Sequence, residues 1–168
     1  MADKPEYLQN VTVERFLRRY SIRARLADAI ETGYTDEELI SYINDAIVMI
    51  WHIMIQNDYD EAAGWLTLDE KESYIPTGYG TPTGKPPVYR DGDKLICYGD
   101  LPCTFRYWKQ PPRVAALSDT LPSDSFFMKS TLMNLMAQIV IVLAMQNHGF
   151  DMGSEMDFAT SIAKLLPR

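Results

Sequence analysis

The residues best able to do chemistry in this 168-residue chain fall in three short stretches. Carboxylates stand together at 36–38 (DEE) and again within 57–61 (NDYDE), and a glycine- and lysine-containing stretch, GTPTGKPP, occupies 80–87. Neighbouring carboxylates could exchange protons with a substrate or bind calcium. A glycine-rich loop that ends in lysine could hold a phosphate.

None of the three stretches has the spacing that its chemistry requires. The 36–38 carboxylates follow Thr35, which places them in the first turn of a helix, where a capping box and acidic residues are favoured. The 57–61 stretch lacks the glycine and the terminal glutamate of a calcium loop and is typical of a solvated helix end. Tyr79 and Pro86 stand where a phosphate-binding loop needs glycine and Ser or Thr.

The cysteines and histidines also predict no site. A zinc site built on Cys97 and Cys103 would need two more ligands, but His52 and His148 lie far away in helical segments. Because the first residues lack the pattern of a secretion signal, we expect both cysteines to be reduced thiols in the core. No serine lies in a nucleophile elbow. The sequence therefore predicts a protein that is not an enzyme and that binds no cofactor and no metal.

Charge and hydropathy exclude two further classes of partner. The net charge of −7 argues against a sequence-independent nucleic-acid-binding protein, which would cluster Lys and Arg. The most apolar window, 132–145, is shorter than the roughly 20 residues that a membrane span needs. Asn134 and Gln138 interrupt that window, so we expect a buried helix and no membrane association.

Helical patterns occupy the two ends of the chain. Segment 12–30 has the apolar spacing of one or two short helices that end before Gly33. A long helix is predicted from about 36 to 57, another from about 125 to 147, and a final short one after Ser154. The long helix carries more apolar residues than one partner helix would cover, including Ile40, Trp51 and Ile53.

The middle of the chain is rich in glycine and proline and favours β structure. Asp91-Gly92 predicts a hairpin, and GDLP at 99–102 predicts a second turn that pairs the LICY and CTFRYW runs in one small antiparallel sheet. Stretch 74–94 is predicted to be an extended arm, because its prolines and glycines suit neither a helix nor a central strand.

These elements predict a mainly α fold: a small antiparallel helical bundle with a β-hairpin-rich insertion between the N-terminal and C-terminal helix pairs. We expect a single domain over 1–168. Its N-terminal helices would occupy 1–64, its β-rich insertion and arm 65–113, and its C-terminal helices 114–168.

The chain has ten tyrosines and three tryptophans, more than core packing explains. Because Tyr and Trp are enriched at protein interfaces, we predict interface roles for several of them. The candidates are Trp51, Tyr74, Tyr79, Tyr89 and Trp108. The alternative is a ligand cleft lined by the last four of these residues.

Two stretches carry a family resemblance. Residues 21–47 (SIRARLADAIETGYTDEELISYINDAI) and 106–128, with YWKQPPRVAALSDTLP and a Pro-x-Asp helix start, resemble hallmarks of bacteriophage head-to-tail connector, or adaptor, proteins. The resemblance covers most of the chain apart from the 74–94 arm. It implies a structural virion protein without catalytic residues, located at the portal vertex of the particle and in the host cytoplasm during assembly.

The resemblance also implies partners. The protein would form a homo-oligomeric ring, a dodecamer, between the capsid portal protein and the tail or nozzle proteins. Genomic DNA would pass through that ring without specific binding. The excess apolar surface of the 36–57 and 125–147 helices predicts that neighbouring copies pack against it. The alternative is a cytoplasmic small-ligand-binding or regulatory interaction domain.

Overall fold

The computed structural model describes residues 11–28, 33–121, 130–149 and Asp157. The chain divides into two compact units. The first, here the helical unit, consists of Met1–Ile53 and Pro112–Arg168, and the second, here the β unit, is Met54–Pro111.

Four α-helices are described. α1 (Val13–Arg19) and α2 (Ile22–Ala27) occupy the first segment, where the spacing predicts one or two short helices, and α3 (Asp36–Gln56) confirms the long helix. α4 (Ser130–Asn147) ends where the sequence predicts. Its predicted first turn and the final helix after Ser154 lie outside the described residues.

The capping box at the start of α3 is confirmed. The backbone N–H of Thr35 donates to Oε2 of Glu38 at 2.8 Å, and the backbone N–H of Glu38 donates to Oγ1 of Thr35 at 3.2 Å. Two donors that the helix itself cannot satisfy are therefore paired. Arg23 of α2 pairs with Glu14 of α1 at 3.2 Å and with Asp36 of α3 at 2.8 Å, so one guanidinium joins three helices.

The apolar residues of the long helices are buried. α3 alone among the described helices is long and apolar enough to cross a membrane by length and composition. The core helix of a soluble protein passes the same test, and Leu39, Ile43 and Ile47 of α3 are fully buried. Asn134, Gln146 and Asn147 of α4 are exposed. Most of the helix is buried, through Met133, Leu135, Met136, Ala137, Ile139, Val140, Ile141, Val142 and Ala144.

The segment after the β unit is fixed to the helical unit by backbone and side-chain hydrogen bonds. The Val13 N–H donates to the carbonyl of Asp119 at 2.9 Å, and the Leu121 N–H donates to the carbonyl of Val11 at 2.8 Å. The side chain of Asn44 makes two hydrogen bonds with the backbone of Val114. This segment is therefore tied down at both of its ends.

The β unit contains two three-stranded antiparallel sheets, with strand orders β1-β6-β3 and β2-β5-β4. The strands are β1 (Ala63–Leu68), β2 (Glu72–Tyr74), β3 (Tyr79–Pro82), β4 (Val88–Asp91), β5 (Lys94–Cys97) and β6 (Cys103–Lys109). One apolar core contains residues from both sheets: Leu68, Tyr79, Val88, Leu95, Cys97, Cys103 and Phe105. The residues that alternate with these point away from the core.

The predicted fold class, a mainly α helical bundle with a hairpin-rich insertion, is wrong. The structure is a mixed α and β fold with two small sheets and four described helices. The two sheets form a compact unit with a core of its own. The sequence-based prediction was instead an insertion between the helix pairs of a bundle.

Two local predictions in the middle of the chain are also corrected. The LICY and CTFRYW runs do not pair with each other, because β5 and β6 belong to different sheets. The 74–94 arm contains β3, β4 and the start of β5. Gly80 and Pro82 are accommodated because β3 is an edge strand, and the other prolines and glycines of the stretch lie between strands. The predicted hairpin is confirmed as β4–β5, with Asp91 opposite Lys94.

Candidate interaction surfaces

The five predicted interface residues lie in different environments. Tyr74 and Tyr89 are 72% and 52% exposed on the outer face of sheet β2-β5-β4. Trp108 is half-buried on the outer face of sheet β1-β6-β3. Tyr79 is 4% exposed in the core of the β unit, and Trp51 is 2% exposed on α3. The structure therefore brings Tyr74 and Tyr89 to one face and places the other three elsewhere.

We call the outer surface of sheet β2-β5-β4 the tyrosine face; its aromatic residues are Tyr74, Tyr89 and Tyr98. Tyr98 is 68% exposed, and its ring centroid lies 6.2 Å from that of Tyr89. Ile96 stands opposite Tyr89 in the strand register and is only 7% exposed, so the rings surround an apolar centre. An exposed aromatic group with a buried aliphatic centre is typical of a protein contact surface.

Lys94 and Glu72 of the tyrosine face are paired with each other. The ammonium of Lys94 lies 3.5 Å from a carboxylate oxygen of Glu72. The same ammonium lies 5.4 Å from the centroid of the Tyr74 ring, within the range of a cation–π contact. Because Lys94 already has an anionic and an aromatic neighbour, the face offers little to attract a polyanion.

We call the outer surface of sheet β1-β6-β3 the tryptophan face; it carries Trp65, Arg106 and Trp108. Trp65 is 71% exposed and stands opposite Arg106 in the strand register. The guanidinium of Arg106 lies 4.6 Å from the centroid of the Trp108 ring. Trp108 is thus covered by a cation, and Trp65 is the open ring of this face.

The cation of the tryptophan face is also satisfied within the unit. Arg106 donates to Oδ1 of Asp58 at 2.7 Å and to Oδ1 of Asp60 at 3.0 Å, and its own side chain is only 17% exposed. The hydrogen bond to Asp58, followed by the nearby charges of both carboxylates, raises the pKa of Arg106 despite the opposing effect of burial. Asp58 and Asp60 of the 57–61 stretch therefore position a charged, stacked arginine.

The other residues considered for chemistry have structural roles in this fold. The 36–38 carboxylates lie at the start of α3, and the glycine-rich stretch 80–87 forms β3 and the turn to β4 rather than a phosphate-binding loop before a helix. Cys97 and Cys103 are buried free thiols, and burial, with a smaller effect of Cys97, raises the pKa of Cys103. Within the described ranges, no group of three or more His, Cys, Asp or Glu residues could hold a metal ion.

A cleft of about 180 Å³ lies between β3 and β4 and includes Tyr79, Val88, Tyr89 and Leu95 in its lining. Small-molecule sites usually have volumes of roughly 300–1,000 Å³. The ligand cleft considered from sequence would also need Tyr74 and Trp108, and neither lines this space. The cleft is therefore a weaker candidate site than the two aromatic faces.

Sequence reasoning missed Trp65 and Tyr98, which are among the most exposed aromatic residues. The sequence does contain a signal for the exposure of Trp65. In AGWLTL, Trp65 and Thr67 alternate with two leucines, and a strand with this alternation buries the leucines and exposes the other set. The exposure of Tyr98 could not be read in this way, because it follows the end of β5.

No known family model matches the chain, and no curated protein has a significantly similar sequence.

Proposed function

We propose that this protein is a structural component of a bacteriophage particle, forming an oligomeric adaptor ring that joins the capsid portal to the tail and lines the DNA channel. Two kinds of observation support the proposal: the resemblance of residues 21–47 and 106–128 to connector proteins, and the distribution of exposed aromatic residues. The β unit exposes aromatic rings on both of its outer faces.

The aromatic exposure is the observation that carries the proposal. Tyr74, Tyr89 and Tyr98 are 72%, 52% and 68% exposed. If each ring can bury about 200 Å², the tyrosine face offers on the order of 400 Å² of aromatic surface. Contiguous patches of this size on a monomer are often functional, and aromatic residues are enriched at interface centres.

The source of the contacts between copies differs from the sequence-based expectation. The apolar excess of the long helices was expected to be covered by neighbouring copies. Within one copy Trp51 and Ile53 of α3 are only 2% and 9% exposed and most of α4 is buried, whereas Ile40 is half-buried, so little of that apolar excess is left for a neighbour to cover. We therefore assign the contacts to the β unit.

The proposed partners follow from this role. The ring, a dodecamer, contacts the portal protein on one side and the tail or nozzle proteins on the other, and the genome passes through it without specific binding. The net charge of −7 supports passage without adhesion, because exposed carboxylates repel phosphates. Replacing channel-lining carboxylates by lysine should slow DNA ejection. An unchanged ejection rate would contradict the channel-lining role.

The deciding experiment is the stoichiometry and location of the protein in purified particles. We expect one ring of identical copies between portal and tail, seen by cryo-electron microscopy and counted by quantitative mass spectrometry. If the protein is missing from mature particles, the proposal fails. The alternative, a cytoplasmic ligand-binding or regulatory domain, predicts a stable monomer that is further stabilised by a metabolite.

A further inference from the structure

We infer that copies of this protein associate head to tail through the β unit, with the tyrosine face of one copy against the tryptophan face of the next. This inference rests on the proposed ring-forming function and identifies the surfaces involved. Three properties of the two faces support it: their direction, their charge and their area.

The two faces point in opposite directions. Phe105 of sheet β1-β6-β3 and Leu95 of sheet β2-β5-β4 lie in one shared core. Because side chains alternate along a strand, Trp65 and Tyr89 point away from that core on opposite sides of the unit. A copy that uses both faces must therefore contact two different neighbours. An assembly built from one contact between unlike faces closes into a ring when its rotation allows.

The charges favour a second copy over a charged partner. On the tyrosine face Lys94 is paired with Glu72, and on the tryptophan face Arg106 is paired with Asp58 and Asp60. These cations have anionic partners inside the same copy, so neither face depends on a nucleic acid or an acidic protein to neutralise it. Both faces then present aromatic rings and hydroxyl groups beside carboxylates, of which Glu72, Asp58 and Asp60 are already paired with a cation of the same copy.

The area fits a repeated contact. A standard interface buries about 800 Å² per partner, and the tyrosine rings supply on the order of half of that. Trp65 adds about 150 Å² on the opposing side, and the hydroxyls of Thr67 and Thr104, 2.9 Å apart, lie in the same sheet. A two-fold contact between like faces would cover one of these surfaces and leave the other in water. A head-to-tail contact covers both.

Two variants of the full chain separate these arrangements. The first, Tyr89→Ser with Tyr98→Ser, disables the tyrosine face, and the second, Trp65→Ser, disables the tryptophan face. Sedimentation velocity and native mass spectrometry should show that each variant needs at least about tenfold more protein than wild type for half-assembly. A mixture of the two should stop at one-to-one pairs, because the pair has one intact contact and two disabled outer faces.

Matched controls keep the result interpretable. Tyr89→Phe with Tyr98→Phe keeps the rings and should assemble like wild type, as should Glu70→Ser, which changes an exposed residue between β1 and β2. All the altered residues are exposed, so each variant should unfold at the same temperature as wild type when both are measured at concentrations too low for assembly.

Three results would overturn the inference. Variants that assemble like wild type would exclude these faces as the contact while leaving the ring itself intact. A monomeric tyrosine-face variant beside a Trp65→Ser variant that still forms dimers would indicate a two-fold tyrosine contact. Wild-type protein that stays monomeric up to about millimolar concentration would exclude the contact altogether. The proposed function fails separately, if the protein is absent from particles.

Discussion

Asn44 offers the sharpest test of how the helical unit is held together. It is 9% exposed and is the one buried polar residue among those that the structure describes. Its Nδ2 donates to the carbonyl of Val114 at 2.8 Å, and its Oδ1 accepts from the N–H of Val114 at 2.9 Å. One side chain thus satisfies both backbone groups of a buried residue in the segment that follows the β unit. We expect Asn44→Ala to loosen that segment.

The magnitude follows from the groups left unpaired. Val114 is only 5% exposed, so water cannot easily replace the lost amide. A buried donor or acceptor without a partner costs about 1–3 kcal/mol, and Asn44→Ala creates one of each. If the segment relaxes partly toward water, the free energy of unfolding should fall by about 3 kcal/mol. For a chain of this size, that corresponds to a fall in Tm of about 6–12 °C.

The assay is urea and thermal unfolding followed by circular dichroism, with Asn134→Ala as the matched control. Asn134 lies on α4 and is exposed, so its removal should change stability by less than about 0.5 kcal/mol. If Asn44→Ala and Asn134→Ala proved equally stable, the hydrogen bonds to Val114 would contribute nothing and the reasoning would be refuted.

A second substitution at the same position tests the donor separately. Asn44→Asp keeps an acceptor for the Val114 N–H but faces the Val114 carbonyl with another acceptor when it is ionised. Burial and that carbonyl favour the protonated acid, which raises its pKa in the folded state. The variant should therefore lose stability as the pH rises above the pKa of the unfolded chain, and Asn44→Ala should show no such dependence. Parallel pH profiles for the two variants would contradict this account.

Three further predictions concern local features. Thr35→Ala should lower the free energy of unfolding by about 1 kcal/mol, because the capping box loses its hydroxyl acceptor. Gly80→Ala should cost about 1–3 kcal/mol, because a Cβ there would lie 2.4 Å from the carbonyl oxygen of Trp108 and the strands would have to separate. The hydrogen bond from Arg23 lowers the pKa of Glu14 below its ordinary value of 4.5. The ion pair therefore stabilises the folded protein above pH 4.5, and this contribution to the free energy of unfolding is lost as the pH falls through the lowered pKa. Glu14→Gln should flatten the stability profile in that acid range.

Each of these predictions has its own control in denaturant unfolding. Thr35→Ser keeps the cap and should unfold like wild type, so equal losses for Ser and Ala would exclude the capping role. Thr81→Ala changes the exposed neighbour of Gly80 in β3, and a loss as large as that of Gly80→Ala would point to strand propensity rather than to the close contact. An acid profile of Glu14→Gln identical to wild type would show that the Arg23 pair does not contribute.

The helices could be predicted because their signals are local. A capping box at Thr35 and Glu38, followed by apolar residues at three- and four-residue steps, specifies both the start and the buried face of α3. The hairpin of β4 and β5 was equally readable, because Gly92 has a φ of +61°, which glycine adopts readily and which the tight turn requires.

The sheet arrangement could not be predicted because it depends on pairings between distant segments. β6 pairs with β1, about forty residues earlier, and not with the nearby β5. The 99–102 connection crosses between sheets, and Gly99 packs so closely on Pro87 that a Cβ would lie 2.6 Å from that ring. Nothing in GDLP distinguishes such a crossing from a hairpin turn. Edge strands such as β3 also tolerate the Gly and Pro residues that suggested a loop.

The same long-range pairings decide which aromatic residues are exposed. Tyr79 and Tyr89 look alike in sequence, but Tyr79 packs against Phe105 and Tyr107 inside the unit, whereas Tyr89 points outward. The prediction of interface residues from the number of tyrosines and tryptophans therefore included both core residues such as Tyr79 and surface residues such as Tyr89. Only the register of the strands separates them.

The size of the β unit gives a physical reason for its outer faces to be covered. A unit of roughly 60 residues buries only about 60% of the surface of its unfolded chain, which leaves it marginally stable by itself. Its core draws one residue layer from each three-stranded sheet, and the outer layers still leave Trp65 and Tyr74 71% and 72% exposed, so they would add further stability if something packed on them. Contact between the tyrosine and tryptophan faces of successive copies would add that layer, and it would make the stability of the β unit depend on protein concentration. The core of the helical unit does not depend on contact with another copy, because Phe16, Leu26 and Met136 are already fully buried within one copy.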